Sequence, residues 1–327
     1  MRAQALHFDG KGGVEVLRLG ELSVRDPGPG EVRVRVVAAG LNRADILQRR
    51  GFYPAPPGVP ADVPGLEFAG EVESLGEGVT EVAVGARVMG LSAGGAMATL
   101  LVAHARELLP VPDGLDLIEA AALPEAFSTA YDALYRQADL RLGRTLLVHA
   151  IGSGVGTAAL QLASLSGAHV VGTSRTASKL ARCQELGSMT GICVEDGAFA
   201  GALREHAPNG ADVILDTVGA SYLDENLRAL APLGTIVTIG LLGGVRAELN
   251  LGLLLAKRAR LMGSVIRSRP LEEKIALAQD MRLEVLPLIA AGRFRPVIDD
   301  ILPMQEAAAA HTRMESGDTF GKLVLRW

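Results

Sequence analysis

The stretch Thr145-Leu146-Leu147-Val148-His149-Ala150-Ile151-Gly152-Ser153-Gly154-Val155-Gly156-Thr157 decides the fold of this chain. Its beginning, residues 145–150, is dominated by apolar side chains, which is typical of a strand buried on both faces of a parallel sheet. Three glycines then form a turn, and residues 157–164 are rich in Ala and Leu and predict a helix. A strand, a glycine turn and a helix in this order predict a βαβ unit that binds a dinucleotide.

The same alternation of strand and helix continues after this unit. Apolar runs predict strands at residues 169–172, 211–216, 235–240 and 260–265, and helical spacing predicts helices at 178–186 and 222–230. This repetition predicts a doubly wound parallel sheet of the α/β class with right-handed crossovers. Residues 145–174 carry no charged side chain, but the glycines and polar residues that interrupt them favour a buried α/β core over a membrane span.

The two ends of the chain have a different pattern. Residues 31–36 alternate apolar and charged side chains and predict a half-buried strand, while the proline-rich residues 53–60 predict an irregular loop. With several short valine-containing runs, these features predict an all-β module in the first third of the chain. Helices are expected at 271–291 and 307–316 and a closing strand at 322–325, and we expect this tail to rejoin the first module.

The glycine turn and the end of the next strand predict which cofactor binds. The helix dipole and backbone N–H groups favour a pyrophosphate at four residues of the turn: Ser153, Gly154, Val155 and Gly156. No carboxylate lies between Ala150 and Cys183 to bind a ribose hydroxyl, as NAD sites usually do. The second strand instead ends near four donors that suit a 2′-phosphate: Thr173, Ser174, Arg175 and Lys179. This favours NADPH over NADH; the alternative is that both basic residues are solvated charges at the start of a helix.

Composition excludes several classes of protein. The 327 residues are 49% hydrophobic, which excludes a disordered chain and suits two packed domains. Lys and Arg total 32 against 37 Asp and Glu, and this net charge of −5 argues against a dedicated nucleic-acid binder. The only cysteines, Cys183 and Cys193, are too few for a disulfide framework and are expected to be buried hydrophobic side chains. The N-terminus shows no apolar leader, so we predict a cytoplasmic protein.

Several motifs resemble those of the zinc-independent quinone oxidoreductase branch of the medium-chain dehydrogenase/reductase superfamily, over nearly the whole chain. The markers of this branch are Ala39-Gly40-Leu41-Asn42-Arg43-Ala44-Asp45, Pro64-Gly65-Leu66-Glu67-Phe68-Ala69-Gly70, Ala120-Ala121-Ala122-Leu123-Pro124, Ser128-Thr129-Ala130-Tyr131 and Gly321-Lys322. A further resemblance, to the tumour-suppressor-inducible subgroup, rests on residues 41–45, 53–58 and 153–159 and on Arg267-Ser268-Arg269.

The resemblance implies a GroES-like β domain at residues 1–122, a Rossmann domain at 123–266 and a C-terminal segment at 267–327 that returns to the first domain. It also implies NADPH-dependent reduction of a small-molecule quinone by a homodimer or tetramer. Asn42 is expected beside the nicotinamide ribose and Tyr53 in the substrate pocket. The other residues implied at the cofactor are Thr129, Gly240, Leu241, Ser264, Val265, Ile266 and Lys322, and residues 264–266 are expected to form a strand at the dimer edge. Val194 stands where similar proteins often carry a Tyr near the adenosine phosphate.

The residues that hold catalytic zinc in related alcohol dehydrogenases are missing. Residues 39–45 contain no Cys, and Leu66 replaces the His of a Gly-His-Glu motif. Zinc needs enough nitrogen or sulfur ligands, so the sequence excludes a zinc alcohol dehydrogenase and predicts no metal site. His149, at the end of a buried strand, is expected to be a hydrogen-bonded core histidine rather than a catalytic base.

The predicted reaction needs no strong general acid, because quinones accept electrons readily once the nicotinamide is positioned and water is excluded. Tyr53 and Asn42 are the candidate catalytic residues, which would orient the acceptor or its developing oxyanion. Two alternatives stay open. One is an NADPH-dependent enone or enoyl double-bond reductase with Tyr53 as proton donor. The other is a non-enzymatic, NADPH-binding, crystallin-like or RNA-binding protein, although the acidic balance opposes RNA.

Overall fold

The computed structural model describes residues 1–327, which fold as two units. The first unit comprises residues 1–128 and 266–327, and the second comprises residues 129–265. Residues 123–128, which we expected in the second domain, belong to the first unit. Two contacts account for this: Phe127 stacks on Phe294 with ring centroids 5.1 Å apart, and the Glu125 N–H donates to Glu67 Oε2 at 2.8 Å.

The chain contains fifteen strands and eleven α-helices. The strands are β1 (Arg2–Phe8), β2 (Leu17–Ser23), β3 (Glu31–Leu41), β4 (Glu67–Leu75), β5 (Arg87–Leu91), β6 (Leu100–His104), β7 (Leu109–Pro110), β8 (Thr145–Val148), β9 (His169–Ser174), β10 (Met189–Cys193), β11 (Ala211–Asp216), β12 (Leu230–Thr238), β13 (Arg260–Gly263), β14 (Ile298–Pro303) and β15 (Lys322–Arg326). The helices are α1 (Arg43–Arg49), α2 (Leu117–Ala120), α3 (Pro124–Tyr131), α4 (Gly154–Leu165), α5 (Ala177–Leu186), α6 (Ala200–His206), α7 (Leu223–Ala229), α8 (Leu251–Lys257), α9 (Leu271–Asp280), α10 (Leu286–Ala290) and α11 (Ala307–Ser316).

Seven strands form the main sheet of the first unit. Their order is β14-β15-β3-β4-β5-β7, and β6 also pairs with β3. The C-terminal strand β15 runs antiparallel to β3, with Leu323 opposite Leu41, so the tail rejoins the first module as predicted. The alternation seen at residues 31–36 buries Val32, Val34 and Val36 in a core with Phe68.

Six parallel strands form the sheet of the second unit, in the order β10-β9-β8-β11-β12-β13. This confirms the predicted doubly wound sheet. The uncharged residues 145–174 form β8, α4 and β9, which confirms that they are buried α/β core. No helix has both the length and the apolar character to cross a bilayer.

Two predictions for the second unit are wrong. The strand that begins at Arg260 ends at Gly263, so Ser264, Val265 and Ile266 do not form a strand. The Ser264 hydroxyl instead donates to Asp132 Oδ2 at 2.9 Å. Cys183 is buried on α5 as predicted, but Cys193 is exposed, because it ends β10 at the open edge of the sheet.

Candidate functional site

The glycine turn joins β8 to α4 with little room for side chains. Ser153 precedes the helix, and its Oγ accepts the Gly156 N–H at 3.1 Å, which caps the first turn. A Cβ on Gly156 would lie 2.5 Å from the carbonyl oxygen of Ile151, so this position requires glycine. Ala150 adopts φ 48°, a left-handed conformation that is uncommon outside glycine and that bends the chain sharply after the strand.

The start of α4 is suited to an anion. Its first turn contains no acidic residue, and the N–H groups of Gly154 and Val155, its first two residues, have no acceptor within the helix. Both residues are half-buried rather than covered. The helix dipole adds partial positive charge at this end. The predicted pyrophosphate site therefore fits the local geometry.

The end of β9 presents only part of the predicted phosphate-binding set. Arg175 is exposed, and the Ser174 Oγ accepts the Thr176 N–H at 3.1 Å. Lys179 is half-buried on the first turn of α5. The prediction that Thr173 binds the 2′-phosphate does not fit the structure. Its side chain is buried and its hydroxyl contacts His149 Nδ1 at 2.8 Å, so that hydroxyl does not face a ligand.

His149 is the hydrogen-bonded core histidine that the sequence predicts. Its ring is fully buried, with Nδ1 on Thr173 Oγ1 and Nε2 2.6 Å from Asn226 Oδ1. The rings of Phe199 and Tyr222 meet it edge to face at 4.8 and 4.9 Å. Burial lowers the pKa of His149, which keeps the imidazole neutral.

Tyr222 is a candidate cofactor contact that the sequence analysis missed. It lies in the segment between β11 and α7 and is half-buried. Burial raises the pKa of its phenol, and the nearby positive charge of Arg175 opposes that rise. Val194, which occupies the position expected for a Tyr, is buried instead. Tyr222 is thus a half-buried aromatic ring after β11, and no local motif signals it.

A cavity of about 280 Å³ lies at the carboxyl ends of β11, β12 and β13. Asp216, Gly219, Thr238 and Leu241 contribute to its lining. Gly240 precedes it, where a Cβ would come within 2.8 Å of the Thr217 carbonyl oxygen. Ligands of parallel α/β sheets bind at this edge of the sheet, and the cofactor contacts of Gly240 and Leu241 stay predictions. A second cavity, of about 340 Å³, lies at the amino end of the sheet, away from the glycine turn.

A buried polar cluster in the first unit contains Asn42 and Lys322. Glu67 is fully buried and its Oε1 lies 2.5 Å from Lys322 Nζ, which also donates to Asn42 Oδ1 at 2.6 Å and to the Leu41 carbonyl oxygen at 2.9 Å. The Asn42 amide donates to Glu67 Oε1 at 3.0 Å and to the Gly40 carbonyl oxygen at 3.2 Å. With the amide turned the other way, its NH₂ would face the Lys322 ammonium, so Oδ1 is the atom that accepts from Lys322.

This arrangement limits what Asn42 can do. Both of its amide hydrogens have acceptors in the protein, and its Oδ1 accepts from Lys322 and takes part in the capping box with the Asp45 N–H. A ribose hydroxyl could share Oδ1 with these donors, whereas an oxyanion would need a free N–H donor, which Asn42 lacks. The site therefore fits the predicted ribose contact of Asn42 and disfavours its predicted role toward an oxyanion.

Two more carboxyl groups belong to the same cluster. Asp45 is fully buried and accepts the N–H groups of Asn42 and Gly65, each at 2.8 Å. Its burial raises its pKa to about 6. Glu125, at the start of α3, is half-buried, and burial together with the charge of Glu67 raises its pKa to about 8. The sequence analysis did not single out Glu125, although a carboxylate within the apolar run 120–127 was a usable signal.

Tyr53 lies in the proline-rich loop and is held by Arg267. The guanidinium carbon lies 4.9 Å from the centre of the Tyr53 ring, a cation–π contact. Arg267 also donates to the Ala93 carbonyl oxygen at 2.6 Å, to Gln48 Oε1 at 2.7 Å and to the Tyr53 carbonyl oxygen at 3.3 Å. The Tyr53 hydroxyl has no hydrogen-bond partner in the chain, and burial raises its pKa, so the phenol is a neutral donor available to a ligand.

The remaining predicted contacts lie at the ends of elements. Thr129 is half-buried on α3, one turn after Glu125. Ser264 is half-buried and bonded to Asp132, Val265 is exposed, and buried Ile266 is the first residue of the returning segment of the first unit. Their contacts with the cofactor remain predictions.

Comparison with protein families identifies both units. Residues 28–113 match the alcohol dehydrogenase GroES-like domain, and residues 154–281 match the zinc-binding dehydrogenase family. Quinone oxidoreductase from Pseudomonas aeruginosa is 35% identical over 329 residues, an alignment that covers 99% of each chain. The synaptic vesicle membrane protein VAT-1 homolog of Rattus norvegicus is 33% identical, with 91% of this chain and 77% of that protein covered.

A comparison with solved structures shows that the fold is also similar over the whole chain. Escherichia coli quinone oxidoreductase complexed with NADPH superposes with a TM-score of 0.89 at 29% identity, covering 99% of this chain and 100% of the other. The mixed α/β fold, with a GroES-like part and a Rossmann-type parallel sheet, is therefore shared with these proteins.

Proposed function

Because this chain belongs to the quinone oxidoreductase branch of the medium-chain dehydrogenase/reductase superfamily, we propose that it is an NADPH-dependent quinone reductase. The observation that carries the proposal is the acid-free start of α4 behind a glycine turn, with Arg175 at the end of the next strand. That combination suits a dinucleotide with an extra phosphate. Similarity to the tumour-suppressor-inducible subgroup remains a finer prediction.

The residues present fit NADPH. Gly156 leaves no space for a side chain beneath the turn, and the N–H groups of Gly154 and Val155 are available to phosphate oxygens. Arg175 would bind the 2′-phosphate, with Ser174 and Lys179 beside it. Gly240 and Leu241 would border the cofactor at the carboxyl edge of the sheet. When bound, NADPH supplies a hydride to the acceptor.

The first unit would orient the acceptor. Tyr53 offers an unused hydroxyl on a ring fixed by Arg267, which makes it the candidate donor to the acceptor oxygen. Asn42 would accept from the nicotinamide ribose through Oδ1, with its amide fixed by Glu67 and Lys322. Asn42 is thus assigned to cofactor positioning.

We propose that the reaction proceeds without zinc. Leu66, at the position of the missing histidine, is a buried apolar side chain. Asp45 and Glu67 use their oxygens to accept N–H groups and the Lys322 ammonium. No group of three or more His, Cys, Asp or Glu side chains is placed to hold a metal ion. These residues support a site that relies on positioning and hydrogen bonding.

The test is turnover of 1,2-naphthoquinone with NADPH and with NADH. We expect quinone reduction with NADPH, a much lower kcat/KM with NADH, and no loss after dialysis against a chelator. Tyr53→Phe should lower kcat/KM about tenfold, because it removes one hydrogen bond, worth about 1–1.5 kcal/mol, to the developing oxyanion. Asn42→Ala should mainly raise the KM for NADPH. Turnover of a crotonyl thioester in place of the quinone would favour the double-bond reductase, and wild-type kinetics in both variants would refute the two residue roles.

We also propose a homodimer, formed through the outer edge of β13. This strand ends the six-stranded sheet and has no neighbour on its other side within the chain. Leu261 in the strand is 41% exposed, and Leu255 just before it is 76% exposed. An open edge flanked by apolar side chains is suited to pairing with a second copy. A cytoplasmic location remains a prediction from the sequence.

A further inference from the structure

Three carboxyl groups and two cations lie together in the first unit. The carboxyl groups are Asp45, Glu67 and Glu125, and the cations that act on them are Lys322 and Arg267. Lys322 forms an ion pair with Glu67 at 2.5 Å. Arg267, with a single charge, is left to balance both Asp45 and Glu125. If all three carboxyl groups were ionised, one buried negative charge would stay unbalanced, which is costly in a protein interior.

The hydrogen bonds show which group holds the proton. Asp45 accepts two backbone N–H groups, and Glu67 accepts from Lys322, from Asn42 and from the Glu125 N–H. The Glu125 carboxyl accepts from no group of the chain. It is therefore the group that takes up the proton, in agreement with its pKa of about 8.

Glu125 is also the accessible member of the cluster. Asp45 and Glu67 are fully buried, whereas Glu125 is half-buried at the first turn of α3. The Glu125 N–H and the Asn42 amide donate to the two oxygens of the same Glu67 carboxylate, at 2.8 and 3.0 Å, so the first turn of α3 lies beside Asn42. A half-buried carboxylic acid next to Asn42, the residue assigned to the nicotinamide ribose, is placed to act as a general acid.

We propose that Glu125 is a catalytic acid, which donates the proton that completes reduction of the acceptor. This inference rests on the proposed function. When bound, NADPH would supply a hydride, which is two electrons and one hydrogen, and the reduced quinone would then carry a negative charge on one oxygen. A new O–H bond then forms at that oxygen as the O–H bond of Glu125 breaks. The Glu125 carboxylate afterwards takes a proton from water, so that quinone, NADPH and one proton yield hydroquinone and NADP⁺.

The pH dependence follows from the groups that face Glu125. Glu67 and Asp45 favour its protonated form, whereas Lys322 and Arg267 favour its ionised form, and burial decides the balance toward the proton. A general acid acts only while protonated. The wild-type kcat should therefore be constant at neutral pH and fall as the pH rises through about 8.

The test compares Glu125→Gln with wild type and with Glu71→Gln, a matched change at an exposed glutamate of β4. Gln keeps the shape and neutrality of the protonated acid, so we expect Glu125→Gln to fold and to bind NADPH with unchanged affinity. We expect its kcat for 1,2-naphthoquinone to fall about 100-fold and to lose the decline above pH 8. Glu125→Asp, which retains an acid, should keep a decline. Tyr53→Phe should keep the pH profile despite its lower rate.

The outcomes separate this inference from the proposed function. A wild type that reduces quinone, with a Glu125→Gln variant of equal kcat and the same pH profile, refutes only the role of Glu125. A wild type that binds NADPH but reduces no quinone refutes the proposed function and this inference together. Loss of rate with an unchanged decline above pH 8 assigns that decline to another group and also refutes the proposal.

Discussion

At the scale of single residues, the end of β9 and the buried polar cluster around Glu67 differ in how their charges are placed. Arg175 is exposed at the end of β9, with no carboxylate nearby in sequence. In the buried polar cluster, Glu67 is paired with Lys322, and Glu125 is protonated. The exposed cation is available to a ligand, whereas the charges of the cluster are satisfied within the first unit. We therefore propose that cofactor specificity depends on Arg175 and that orientation of the acceptor depends on the first unit.

We therefore expect Arg175→Ala to weaken NADPH binding and to spare NADH binding. A charge-assisted hydrogen bond to phosphate contributes about 1.5–3 kcal/mol, which corresponds to a Kd for NADPH at least about tenfold higher. Isothermal titration calorimetry with both nucleotides measures this. Arg141→Ala is the control, since Arg141 is exposed near the amino end of the sheet. An equal loss of affinity for both nucleotides would show that Arg175 does not contact the 2′-phosphate.

At the scale of elements, the start of α4 depends on the absence of one Cβ. Gly156→Ala would bring a methyl group within 2.5 Å of a backbone oxygen, so α4 must move relative to β8. We expect a loss of about 1–3 kcal/mol in the free energy of unfolding and a weaker affinity for NADPH. Urea denaturation and calorimetry measure the two effects.

Gly201→Ala supplies the comparison for that substitution. Gly201 lies in α6, where a Cβ meets no atom within 4 Å, so alanine should stabilise the protein by about 0.5 kcal/mol through the unfolded chain. Stability equal to wild type in Gly156→Ala would mean that the turn tolerates a side chain, contrary to the packing described above.

Patterns along the chain predict elements well where burial is one-sided or complete. The strand at 211–216 and the helix at 307–316 have the predicted bounds, because their burial follows the period of the element.

The edge strand β10 was missed, since an edge strand buries less and its residues 189–193 mix polar and apolar types. Thr173 was misassigned because alternation along a strand depends on register, which decides whether a hydroxyl faces His149 or a ligand. The protonation of Glu125 depends on groups such as Lys322, which is 197 positions away in the chain, so a local sequence pattern cannot predict it.

At the scale of the whole molecule, the open edge of β13 makes the state of assembly testable. Leu261 stands opposite Ile236 of β12 and is exposed, and the outer backbone groups of its strand have no partner within the chain. Pairing of β13 with a second copy would satisfy those groups and bury the apolar side chains around them. Leu261→Asp would place a charge in that interface, and desolvation of the charge opposes association.

We expect wild type to have twice the mass of the chain by light scattering at micromolar concentration, and Leu261→Asp to shift toward the monomer. Leu142→Asp is the control, because Leu142 is 81% exposed and lies outside the strand. The second unit should keep its fold in the variant, since Leu261 contributes little to the buried core, and circular dichroism checks this. A Leu261→Asp variant that remains dimeric would place the interface elsewhere, and a monomeric wild type would show that the open edge is tolerated in solution.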